Sequence, residues 1–526
     1  MRPMTAAVTI GAVAAIVAGA VPAAATAPDG VPRIDWRQCP DDTALQCAGV
    51  QVPLDYTRPR GRKITVRLVK RPADDQRHKT GTLFINNGGP GGSAADFVPT
   101  AAEVLGAGTR TRFDVVGIDP RGIGGTRNCV TEGCGSTPVT CTPRPGDPPG
   151  PAAPEILFPV SRDEIRAWLT YGDYVRGLCA RTGNEIINHM STADTARDMD
   201  LMRRAVGDRK LTYYGISYGS MLGATYAAMY PDKIRALIVD GVIDPVQWTT
   251  GRGNDSRYLL SARINSGAGA WETLQSALTE CDRAGTARCA FAGSPGKTAQ
   301  QKYDAVIERL KREPLETPEG PITYQYAVGV THSALTIFEV YPQLMQVLES
   351  TYQALFNTTA KRATSVGWHD LKVKPGAPTL GAEPMTPSFH GVACADSVNP
   401  TDRGAGVRSA AYADRTGPGF GSLWSWLTST CQNWPGSARD AFRGPWNVRT
   451  SAPLLIANPV HDPSTPISGA YALHDLMPNS RLLEVDVWSH GAIGVTCAQR
   501  VYEKYLVDLK LPARGQRCAA DGPLFP

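Results

Sequence analysis

The run Gly215, Ile216, Ser217, Tyr218, Gly219 has the form GxSxG. A chain with 53 glycines produces such a run by chance, so its setting decides its meaning. An apolar strand pattern at 211–214 precedes it and a helical pattern at 221–230 follows. Strand, sharp turn and helix are the parts of a nucleophile elbow, which lifts a serine hydroxyl above a sheet edge. The plainer reading is a tight turn with a buried serine; the glycines two residues to either side relieve the crowding that an elbow creates. Ser217 is therefore the candidate nucleophile.

A serine hydroxyl is a weak nucleophile and needs a base, which in turn needs an acid to orient it. On a parallel sheet with an elbow, the chain order is serine, acid, histidine. Six of the eight histidines follow Ser217: His332, His369, His390, His461, His474 and His490. His490 comes after the apolar run 482–487, between Ser489 and Gly491, as a base on the loop after the last strand should. His474 falls in a helical pattern at 470–476 and reads as structural. For the acid, the strand pattern 454–457 runs into Asn458, Pro459, Val460, His461, Asp462, Pro463, Ser464, Thr465, Pro466. Asp462 is the choice there. Its rivals, Asp475 and Asp486, lie within a helix and a strand pattern.

Acyl transfer also requires donors for a developing oxyanion. Asn87, Gly88, Gly89, Pro90, Gly91, Gly92 follows an early strand and cannot be helical. Gly89 is the choice for one backbone donor, because Pro90 has no N–H. Tyr218, next to the nucleophile, supplies the other. A phosphate cradle would need GxGxxG or a Lys-Ser/Thr ending, and neither is present.

These residues must be held by something. Strand patterns at 64–69, 82–86, 113–118, 211–214 and 236–240 alternate with helical ones at 93–105, 192–206 and 221–230. That alternation predicts an α/β fold with a doubly wound, mainly parallel sheet. Between Pro245 and about Arg443 the pattern turns helical, at 271–281, 299–312, 334–356 and 421–426, without strands between. Strand logic resumes at 453–457 and 481–487, with a closing helix at 498–509. The predicted organisation is a core from 28 to 245, a helical lid from 246 to 443, and the rest of the core from 444 to 526. Asp119, Pro120, Arg121, Gly122 ends one strand, and either shapes the site floor or forms a structural Arg–carboxylate turn. Residues 131–159, rich in Pro, Gly and Cys, predict an irregular, disulfide-tied excursion.

Residues 1–27 read differently: Arg2, an apolar Ala/Val/Ile/Gly stretch, then Ala23 to Ala27. This is the pattern of a signal peptide cleaved near Ala25 or Ala27, and it predicts export. No later stretch has the length and apolarity to span a bilayer. Twelve cysteines in an exported chain predict disulfides. Cys39/Cys47, Cys281/Cys289 and Cys497/Cys518 are plausible local pairs and Cys394/Cys431 a weaker one, while Cys129, Cys134, Cys141 and Cys179 cannot be paired from spacing. A net charge of +5 with no basic run argues against a nucleic-acid partner. Nothing in the sequence calls for a metal or an organic cofactor.

With these residues in place, the chain resembles the secreted tripeptidyl aminopeptidases of actinobacterial type, relatives of prolyl iminopeptidase within the α/β-hydrolase fold. The motifs are Gly88–Gly92 (GGPGG), Asp119–Gly122 (DPRG), Gly215–Gly219 (GISYG), Asp240–Pro245 (DGVIDP), Asp462–Pro466 (DPSTP) and His490–Gly491. Two positions depart from the usual pattern: Asn87 stands where a histidine often precedes GGPG, and Ser489 replaces the glycine before the base. The resemblance implies a serine exopeptidase that removes short peptides from free N-termini, with lid carboxylates to bind the ammonium group. Glu339, Glu349, Asp396 and Asp244 are available for that. Related sequences include carboxylesterases, so esters are the alternative substrates.

Overall fold

The computed structural model describes residues 30–124, 134–294, 296–357, 367–371 and 386–526. The proposed signal segment lies outside these residues. Among the described residues ten strands form one sheet: β1 (Arg37–Gln38), β2 (Gln46–Pro53), β3 (Lys63–Arg71), β4 (Gly81–Asn86), β5 (Phe113–Ile118), β6 (Leu211–Ile216), β7 (Ile234–Asp240), β8 (Leu454–His461), β9 (Ser480–Trp488) and β10 (Arg517–Ala519). Their order is β1-β2-β3-β5-β4-β6-β7-β8-β9-β10. From β5 to β10 all pairings are parallel; β1, β2 and β3 add an antiparallel edge.

The apolar runs behave as buried parallel strands must, because helices cover both faces. Successive side chains point to opposite faces. Tyr213 and Leu237 therefore pack with Met221 and Leu222 of helix Tyr218–Met229. Tyr214 and Ile238 pack instead with Val98 of helix Ala94–Val104 and with Tyr502 and Leu506 of helix Thr496–Asp508.

Cross-strand register decides where the strands end. Asn86 pairs with Gly215, Ile216 with Asp240, Asp240 with Ala457, and His461 with Trp488. The loops after β4, β6, β7, β8 and β9 thus open at one edge of the sheet. In doubly wound sheets this carboxyl edge is where ligands bind.

Between β7 and β8 the described residues add no strand to the sheet. They form helices, the long ones being Ser266–Ala284, Ala299–Arg312, Tyr324–Leu335 and Tyr341–Phe356. Their apolar sides, including Leu274, Leu278, Val306 and Leu344, continue the core that covers one sheet face. The stretch 334–356, expected as one helix, is two. It breaks at Thr336 and Ile337, and Pro342 opens the second helix, where its missing N–H costs nothing. Among the described residues no helix is long and apolar enough to cross a membrane.

Cys39–Cys47, Cys281–Cys289, Cys394–Cys431 and Cys497–Cys518 are bonded as the spacing suggested. Cys141 pairs with Cys179 and so ties the Pro/Gly-rich excursion to helix Arg162–Thr182, which the sequence reading missed.

Candidate active site

Ser217 stands between the last residue of β6 and the first of helix Tyr218–Met229, at φ 60° and ψ −126°. A non-glycine residue rarely adopts this conformation, and such strain persists only where the surroundings enforce it. The Ser217 N–H donates to the Asp240 carbonyl at 2.9 Å. Gly88 lies directly against the turn: a β-carbon there would sit 2.7 Å from Ser217 Cβ and 3.0 Å from Tyr218 N. A β-carbon on Gly219 would come within 2.7 Å of the Asn86 carbonyl. These two glycines let the loop after β4 and the elbow after β6 touch, which accounts physically for both glycine motifs. Gly89 is solvent-exposed beside the turn, and Tyr218 N–H opens a helix, where the first donors lack intrahelical acceptors.

Asp462 follows β8 directly, and its side chain is fully buried. Its Oδ1 accepts from Ser464 N–H (2.9 Å) and Thr465 N–H (2.8 Å), and its Oδ2 from the Thr465 hydroxyl (3.0 Å) and Gly491 N–H (3.3 Å). His490 Nδ1 lies 2.9 Å from Oδ1 and 3.1 Å from Oδ2. Two carboxylate oxygens at Nδ1 place the ring proton there and leave the Nε2 lone pair free to accept one. Burial alone would lower the His490 pKa. The Asp462 charge and hydrogen bond outweigh it, and the net shift is upward.

The His490 loop is held on both sides. His490 N–H donates to the Thr336 carbonyl in the helical insertion at 3.0 Å. Ala492 N–H donates to Asp240 Oδ1 at 2.8 Å. Gly491 packs so closely on Ile216 that a side chain would collide with it, and a β-carbon on Gly241 would lie 3.4 Å from His490 Cε1. The imidazole is thereby placed beside Gly241, the residue next to the carbonyl that holds Ser217. Ser217 Oγ itself makes no hydrogen bond among the described residues; such contacts commonly tighten only with substrate bound.

Sequence reasoning missed three contributors. Thr465 secures Asp462 through both its N–H and its hydroxyl, and its position inside DPSTP was the available signal. Asp240 is fully buried and takes hydroxyl hydrogen bonds from Tyr214 (2.9 Å) and Tyr502 (3.0 Å); burial pushes its pKa up to about 6 against those bonds. The Thr336 carbonyl carried no sequence signal at all.

Other candidates resolve differently. Arg121 grips Asp198 with two nitrogens at 2.8 and 2.6 Å, both side chains buried, so DPRG is the structural turn. His474, on helix Ser468–Leu476, is hydrogen-bonded to Ser480 at the start of β9, and Asp475 and Asp486 face solvent. Asp244 caps helix Pro245–Thr249 and pairs with Arg252.

This arrangement can activate a hydroxyl, store its proton on an imidazole and stabilise the resulting imidazolium. The chain is a serine hydrolase of the α/β-hydrolase fold: residues 81–251 match the model of that fold family, and residues 417–518 match that of the TAP-like proteins. It is similar to the tripeptidyl aminopeptidase of Streptomyces lividans, at 29% identity over 92% of this chain and 86% of that one. The serine protease Hip1 of Mycobacterium tuberculosis H37Rv is 26% identical over 92% of this chain and 91% of that one. Carboxylesterase B of the same organism is 28% identical over 94% and 91%.

With His490 as the candidate base, which must be neutral to accept the Ser217 proton, the pH response follows. As pH falls through the His490 pKa the imidazole is protonated and activity is lost. Because that pKa is raised, the acidic limb of kcat/KM should have its midpoint above the ordinary 6.5. A pH–rate profile with a midpoint clearly below 6.5 would contradict this placement of charge.

Proposed function

We propose that the protein is a secreted exopeptidase that releases short peptides, of tripeptidyl type, from free N-termini. Ser217 attacks the peptide carbonyl, His490 takes its proton and passes it to the leaving amine, and Asp462 steadies the imidazolium. Gly89 and Tyr218 N–H groups receive the oxyanion, and water clears the acyl-enzyme. The observation that carries this reading is the Asp462–His490 pair beside a serine held at positive φ. The segment 246–443 serves as a lid over the site, and residues 1–27 direct export.

Likeness to a named tripeptidyl aminopeptidase over most of both chains supports the peptide substrate. Among the four carboxylates considered for the ammonium group, three are engaged elsewhere. Asp244 pairs with Arg252, Glu349 with Lys302, and Asp396 is buried against Thr192 and Trp248. Glu339 is exposed, three residues past the Thr336 carbonyl that holds His490, and it is our candidate.

The likeness to a carboxylesterase keeps ester hydrolysis as the second reading. Kinetics on tripeptide anilides with free and acetylated N-termini, beside p-nitrophenyl esters, separate the two. We expect acetylation to lower kcat/KM by at least roughly 100-fold, since a site built for a charged group rejects an analogue lacking it. Equal turnover of free and blocked peptides, with faster ester cleavage, would favour the esterase.

A further inference from the structure

Helix Pro387–Asp396, part of the insertion, touches the active-site scaffold at both of its ends. At its start, a β-carbon on Gly91 would lie 3.3 Å from Phe389 N and 3.5 Å from Ser388 Oγ, so this helix rests on the glycine loop after β4. At its end, Asp396 is 1% exposed and accepts three hydrogen bonds: from Thr192 N–H (2.7 Å), the Thr192 hydroxyl (2.5 Å) and Trp248 Nε1 (3.0 Å). Thr192 Oγ is also 2.6 Å from the hydroxyl of Tyr218, which is fully buried. Burial pushes the Asp396 pKa up to about 6; above that pH the carboxylate can only accept, so Thr192 gives its proton to Asp396 and receives that of Tyr218. With Asp396 ionised the order is Tyr218 to Thr192 to Asp396.

We infer that Asp396 is a positioning residue for the oxyanion site, and that helix Pro387–Asp396 sets the spacing between its two donor arms. One arm is the glycine loop, braced by Phe389. The other is Tyr218, whose ring is pulled toward Asp396 through Thr192 while its N–H faces the reacting carbonyl. Cys394–Cys431 and the hydrogen bonds of Arg443 to the carbonyls of Ala395 and Asp396 fasten the helix itself. A donor displaced by a fraction of an ångström still binds substrate but serves the tetrahedral state poorly. Seating of this helix and competence of the oxyanion site are one event.

This inference rests on the Ser217 acyl-enzyme reading, and the test separates their failures. Three variants are made, Asp396→Asn, Thr192→Val and Tyr218→Phe, with Thr192→Ser as the conservative control. For each, kcat, KM and the affinity of a peptide boronic acid, which forms a tetrahedral adduct on the serine, are measured. Circular dichroism reports the fold. Loss of one such donor costs about 100- to 1000-fold in kcat, and misplacing it should cost about 10- to 100-fold. The expected result is that fall in kcat with KM changed less than about threefold, a matching loss of boronate affinity, and recovery in Thr192→Ser. Tyr218→Phe, which removes a single hydroxyl, keeps the test open if Asp396→Asn does not fold. Folded variants with unchanged kcat, or a kcat loss without loss of boronate affinity, overturn the inference. Failure of a fluorophosphonate to label Ser217 in the unsubstituted enzyme overturns the acyl-enzyme reading instead.

Discussion

Replacing Ser217 by alanine is expected to lower kcat/KM by about 10⁴- to 10⁶-fold while the protein stays folded. The size follows from the role. Without the hydroxyl no acyl-enzyme forms, and only binding and the oxyanion donors remain to speed attack by water. The folded state should be little changed, because Ser217 Oγ makes no hydrogen bond among the described residues. The strain at φ 60° is a backbone property that alanine would share. Covalent labelling by a fluorophosphonate should vanish in the same variant. Retention of more than about 1% of the original kcat/KM, with an unaltered fold, would remove Ser217 from the mechanism.

Changing Asp462 to asparagine should be nearly as damaging, with a loss on the order of 10⁴-fold in kcat. An amide cannot accept at both positions. Its nitrogen must face either His490 Nδ1 and the backbone N–H groups of Ser464 and Thr465, or the Thr465 hydroxyl and Gly491 N–H. In the first case the histidine takes the wrong tautomer and its Nε2 can no longer serve as base. In the second, the Thr465 hydroxyl can turn to accept from the amide but the Gly491 N–H faces another donor, at a stability cost of about 1–3 kcal/mol. The charge that raises the His490 pKa is also gone, so whatever activity survives should persist to lower pH than in the unsubstituted enzyme. Thermal unfolding beside the pH profile measures both effects. An asparagine variant with near-normal kcat would mean that another acid orients His490.

The parts of the site that could be read from the sequence are those where a strand pattern ends abruptly in residues with special chemistry. β6 and β8 are apolar runs stopped by Ser217 and Asp462, and glycine and proline mark the stops. The boundaries themselves were less clear. Helix Tyr218–Met229 begins three residues before its apolar pattern does, because the turn forces Tyr218, Gly219 and Ser220 into helical geometry despite their modest propensities. Helix Arg162–Thr182 carried a readable start, Ser161 with Glu164 three residues on, and the structure makes a full capping box of them. Helix Pro387–Asp396 was unreadable by periodicity. It is buried on nearly every side from His390 to Asp396, so no polar face alternates with an apolar one. The break at Thr336 was hidden for a different reason: its carbonyl leaves the helical ladder to hold His490, a demand made by a residue more than 150 positions away.

The insertion sits between β7 and β8, strands that pair directly, Leu237 opposite Leu454. Ser217 precedes it, whereas Asp462 and His490 follow it. A polypeptide emerging from the ribosome amino end first therefore displays its serine long before Asp462 and His490 exist. On the proposed triad, hydrolysis becomes possible only when β8 and β9 have been made and laid in place, so the topology itself delays activity until synthesis is nearly finished.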